Sequence, residues 1–134
     1  MLSALIKLVF VLQVYSLTVP TAIAGPTQER FTGGLLGVSA DVVLCMRTKH
    51  AFIELSGIPL GGSLKGTARF HSGEGSAIVV DEPLNSALKR RFVKIVGARF
   101  DRAKDMVYVT VQLPLILGTQ TISLFRSQTG KPYC

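Results

Sequence analysis

From Met106 to Leu113 the chain reads MVYVTVQL, with Val107, Val109, Val111 and Leu113 at every second position and Met106, Tyr108, Thr110 and Gln112 between them. Successive side chains of an extended chain point to opposite faces, so this alternation puts an apolar row on one side and a mixed row on the other. A helix over the same residues would scatter the valines around its circumference, and their stiff χ1 is disfavoured there. The segment therefore predicts a strand with one buried face. A lone strand cannot bury that face, so a sheet is implied.

Other segments share the pattern. Leu64–His71 sets Leu64, Gly66, Ala68 and Phe70 against Lys65, Thr67, Arg69 and His71. Phe31–Val38 is apolar with three glycines and reads as a bent or bulged first strand. Residues 41–47, 51–56, 76–80, 92–100 and 119–126 are short apolar or β-branched runs. Between them lie turn signals: 48–50, Gly57 to Ser63, the hairpin Ser72-Gly73-Glu74-Gly75, the charged Asp101–Asp105, and Pro114–Gly118 with its apolar Leu115-Ile116-Leu117. Gly25–Arg30 reads as a flexible approach to the first strand. One change of period interrupts the series. Pro83 suits a first helical turn, Asp81 and Glu82 suit its positive end, and Leu84, Ala87, Leu88 and Arg91 then share one face. The expected fold is mainly β: a small antiparallel barrel or sandwich of seven to eight short strands, with one short helix near residues 83–91. A curved sheet packed by the helix is the main alternative.

The N-terminus predicts a compartment. Lys7 is the one charged side chain before Glu29, Leu8–Val19 is a mostly apolar run, Pro20 and Thr21 break it, and Ala22-Ile23-Ala24 places small side chains where a signal peptidase needs them. Residues 1–24 are expected to be a cleaved signal peptide, leaving 25–134 as a single secreted, extracellular domain. The rival, an uncleaved anchor, wants about 20 continuous apolar residues, whereas Gln13, Ser16, Thr18 and Pro20 interrupt this run. No transmembrane anchor is expected after cleavage. Of 15 Lys+Arg and 8 Asp+Glu, only Lys7 lies in the leader, so the remainder stays strongly basic. In an oxidising compartment Cys45 and Cys134 are expected to form one intramolecular bond that pins the tail onto a strand. An intermolecular bridge through Cys134 and two free thiols are the alternatives.

No catalytic motif is found, and an enzyme is not expected. His50 and His71 are the only histidines, far from the three or four ligands of a zinc site. Gly61-Gly62-Ser63-Leu64-Lys65-Gly66 misplaces the second glycine of a nucleophile elbow, and Gly73-Glu74-Gly75 lacks the context of a dinucleotide loop. No cofactor or metal is expected. Two binding functions remain. The apolar strand faces, small residues such as Gly66, Ala68, Ala77, Gly97 and Ala98, and the tip 115–117 suit a non-enzymatic protein holding a small hydrophobic ligand inside a barrel. The cations Lys89, Arg90, Arg91, Lys94, Arg99, Arg102 and Lys104 suit an anionic partner, such as a glycan, lipid head group or acidic protein. Nucleic acid is not expected, since there is no tryptophan or patterned aromatic platform. A monomer is favoured.

In outline the chain resembles lipocalins: a leader, a β-rich body, and a C-terminal cysteine able to tie back to an earlier strand. The Gly-x-Trp of that family's first strand is absent, and the helix comes earlier, so the resemblance transfers no residues to this chain.

Overall fold

A computed structural model describes residues 28–71, 76–128 and 132–134. The expected leader and cleavage site and the expected hairpin at 72–75 lie outside the described residues. Eight antiparallel strands run β1 (Gln28–Leu35), β2 (Val38–Cys45), β3 (His50–Gly57), β4 (Gly62–Phe70), β5 (Ile78–Val80), β6 (Lys94–Asp101), β7 (Met106–Leu113) and β8 (Gly118–Ser127). One helix, α1 (Glu82–Lys89), stands between β5 and β6. The spatial order is β5-β4-β3-β2-β1-β8-β7-β6. The two outer strands meet through a bridge between Ala77 and Arg99 and a hydrogen bond from the Phe100 N–H to the Ser76 carbonyl, 3.0 Å. The sheet is thus a near-closed barrel.

The alternation of β7 is realised in full. Val107, Val109, Val111 and Leu113 are buried and join Phe31, Val42, Leu44, Ile53, Leu55, Ile122 and Leu124 in one core. Pro83 stands in the first turn of α1, whose Leu84 and Leu88 are fully buried in the same cluster. Gly66, on the inward face of β4, lets the helix approach: a Cβ there would lie 2.6 Å from that of Leu84. The Asp81 carboxylate does not cap the helix. It accepts a hydrogen bond from the Thr67 hydroxyl, 2.6 Å, and lies 3.6 Å from Arg69.

Two expectations at the start of the chain need correction. Gln28–Arg30 are not a flexible approach but the first residues of β1, paired with Cys45, Leu44 and Val43. Residues 31–38 are not one bent strand either, because the chain reverses at Leu36-Gly37, both with positive φ (53° and 79°). A two-residue hairpin of this hand matches the twist of its strands and usually carries Asn-Gly or Gly-Gly. A leucine in that position concealed it.

Following strand direction, the described turns from strand to strand fall at two ends. The disulfide end holds the 46–49 and 102–105 turns and the last residue of β2, Cys45. The opposite end holds the β1–β2, β3–β4 and β7–β8 turns and the passage from α1 into β6.

Candidate functional site

Strand register arranges the outer face of β1–β4 in rows, since residues directly opposite on paired strands share a face. Nearest the disulfide end, Gln28, Cys45, His50 and Arg69 form one row, and Arg30, Val43, Phe52 and Thr67 form the one beside it. Next come Thr32, Asp41, Glu54 and Lys65, then Gly34, Ser39, Ser56 and Ser63. Apolar, charged and hydroxyl-bearing side chains thus succeed one another along the barrel wall.

The C-terminal tail lies over Gln28 and Cys45 of the first row and Phe52 of the second. Cys134 is bonded to Cys45, with the two Cα atoms 5.6 Å apart, as expected from the cysteine count. The Tyr133 and Cys134 N–H groups donate to the Gln28 side-chain oxygen at 2.7 and 3.3 Å. The Tyr133 ring stacks on Phe52, centroids 5.1 Å apart. Between tail and wall lies a hollow of about 290 Å³, lined by Asp41, Val43, Phe52, Ile53, Glu54, Lys65, Gly66, Thr67 and Tyr133. Val43 points outward yet is only 2% exposed. A second hollow continues from Asp41 and Glu54 to Ser39, Ser56 and Ser63.

The polar members of this wall are held in place. Arg30 grips Asp41 with two donors, its Nε at 3.0 Å from one carboxylate oxygen and Nη2 on the other. That hydrogen bond raises the Arg30 pKa above its ordinary value, against the opposing effect of desolvation. The Ser63 hydroxyl donates to Glu54. The arrangement offers an apolar slot with aromatic sides and a fixed polar margin.

The seven cations expected to form one patch do not all come together. Lys89, Arg90 and Arg91 follow the helix end, and Lys94 opens β6 beside Gln112. Arg91 donates to the Leu60 carbonyl and so ties the β3–β4 turn to the helix. Arg99 lies farther along β6, 4.5 Å over the Tyr108 ring and 3.8 Å from Asp101. Arg102 and Lys104 occupy the turn at the disulfide end, about 20–25 Å of strand away from Lys94. His50 and His71 are both exposed, His50 beside Cys45 in the β2–β3 ladder. No helix among the described residues is long and apolar enough to cross a membrane.

The wall residues Val43, Phe52 and Tyr133 were not singled out from sequence. The available signal was the tail cysteine, which had to bring its neighbour Tyr133 to whatever strand it joined. No protein-family model, curated protein or solved structure matches this chain.

Proposed function

We infer that this chain is a secreted, non-enzymatic binding protein, and that its ligand is small, mainly apolar and polar at one end. The barrel is a fold capable of enclosing a ligand, but its interior is occupied by the core cluster and by the Leu84 and Leu88 side chains of α1. The reading therefore puts the ligand on the outer wall, under the tail. One observation carries it: the hollow walled by Val43, Phe52 and Tyr133 with Asp41, Glu54 and Lys65 at its margin. Ligand sites are typically concave and apolar with a few placed polar groups, and the stack of half-buried Phe52 with the exposed Tyr133 supplies such a slot.

Native mass spectrometry of protein secreted by an expression host provides the test. The expected spectrum shows a small adduct that is released on denaturation and absent from Phe52→Ser. A ligand-free wild type that also takes up no apolar probe would refute the reading, as would an adduct unchanged by Phe52→Ser.

A further inference from the structure

The end of the barrel opposite the disulfide carries apolar side chains where turns normally carry polar ones. Ile58 is 88% exposed, Phe92 80%, Leu115 94% and Ile116 97%, and Leu36 is also exposed. They come from four separate connections: β1–β2, β3–β4, α1–β6 and β7–β8. The turns 46–49 and 102–105 at the other end are rich in charge and expose no comparable side chain.

Backbone conformation gives a second, independent observation. Leu36, Phe92 and Leu115 all have positive φ (53°, 59° and 60°). For a bulky side chain this region is strained, and glycine or asparagine is the usual occupant. Three large apolar residues are thus held, strained and exposed, at one end of the molecule. Strain of this kind persists where function needs it.

Charge gives the third. Segments 35–38, 57–62, 89–94 and 112–119 contain Lys89, Arg90, Arg91 and Lys94 and no aspartate or glutamate. Among the described residues none of these four cations forms an ion pair. Apolar tips beside unopposed cations are what a surface needs to enter the boundary between head groups and acyl chains of an anionic bilayer. A protein partner for so much apolar surface would be expected to meet flat or concave ground, whereas these side chains stand on separate projecting turns.

We propose that this end docks on anionic lipid membranes, with Leu115, Ile116, Ile58 and Phe92 inserting among the lipids and Lys89, Arg90 and Lys94 meeting the head-group phosphates. Arg91 is a positioning residue that holds the β3–β4 turn against the helix. The assignment is independent of the ligand reading, because the hollow under the tail contributes none of these residues.

The test is co-sedimentation with phosphatidylcholine vesicles prepared with and without phosphatidylserine. Every variant carries the same N-terminus, so residues 8–19 contribute equally to each. Wild type binds the phosphatidylserine vesicles and is released by salt. Leu115→Ser with Ile116→Ser weakens binding about tenfold or more. Lys89→Glu, Arg90→Glu and Lys94→Glu together remove the preference for the anionic lipid, at about fivefold or more per site. Arg102→Glu with Lys104→Glu, at the other end, leaves it intact. Circular dichroism confirms that each variant is folded. Absence of wild-type binding, unchanged binding by the tip variant, or equal loss from Arg102→Glu with Lys104→Glu overturns the proposal. So does a wild-type dimer, seen by sedimentation velocity, that the tip variant dissociates and that ignores vesicles, since the cover is then a second copy of this chain.

Discussion

The two ends of this barrel are held together by different means. At the disulfide end the tail is fastened covalently to β2, and Arg126 reaches Asp105 at 2.5 and 2.7 Å and Glu29 on another strand. The same guanidinium lies 5.1 Å over the Phe31 ring. At the opposite end the turns rely on close backbone fit, on the buried Leu60 and on the Arg91 contact to the Leu60 carbonyl, while Ile58, Leu115 and Ile116 face outward. One end is fastened by chemistry between side chains. The other gives apolar side chains to the surroundings, and where the positive-φ residues of the first are polar (Lys49, Asp105), those of the second are Leu36, Phe92 and Leu115.

The comparison is broken most severely at the disulfide. Replacing Cys45 and Cys134 by serine is expected to lower unfolding free energy by up to about 4 kcal/mol, because the bond closes a long loop in the unfolded chain. Urea unfolding with and without reductant checks this, and an equal midpoint in both would place the stability elsewhere. At the opposite end, Gly57→Ala should cost about 2–3 kcal/mol. Gly57 has φ 142°, and an added Cβ would lie 2.1 Å from the Gly37 carbonyl oxygen. An unfolding midpoint unchanged by this substitution would show that the two turns do not lean on each other.

Arg126→Met sharpens the comparison more gently, at up to about 1 kcal/mol for a surface network. Its signature is the pH dependence. The hydrogen bond from Arg126 holds the Asp105 carboxyl below its ordinary value of 3.8. That contribution is present above the unfolded value and is lost as pH falls through the folded one. The gap in unfolding midpoint between wild type and Arg126→Met should therefore narrow in acid. A gap that widens would contradict the assigned pairing. The smallest effect is expected at the apolar tips. Leu115→Gly relieves a positive φ and should be neutral or stabilising by up to about 1 kcal/mol, even as membrane binding falls. A clear loss of thermal stability would mean that Leu115 serves packing.

The elements that follow local rules were legible before any coordinates. β7 was plain from its valines, α1 from Pro83 and the spacing of Leu84 and Leu88, and the bond of Cys45 to Cys134 from their even number. The misread region fails for a physical reason. In residues 31–38 the reversal at Leu36-Gly37 is made of an apolar residue, so the hydrophobic pattern runs through the turn unbroken. The same holds for Asp41–Arg47, where successive apolar residues hide which of them faces outward. Val43 faces the outer wall by its register, and the Tyr133 that lines the same hollow lies far away in sequence. The rows of the candidate site depend on register between strands, and so do the two groups into which the cations of 89–104 divide. No local pattern carries that information.

The joint between β5 and β6 has a mechanical consequence. β5 is three residues long, and among the described residues no ladder joins it to β6, which is met by a bridge from Ala77 and a neighbouring hydrogen bond, whereas β2–β3 and β7–β8 are ladders of eight pairs. A hoop of staves yields where its clasp is shortest, and regions with few backbone bonds open at the lowest cost. Opening of the barrel is therefore expected along this line, beside α1, sooner than in the opposite wall that carries the tail.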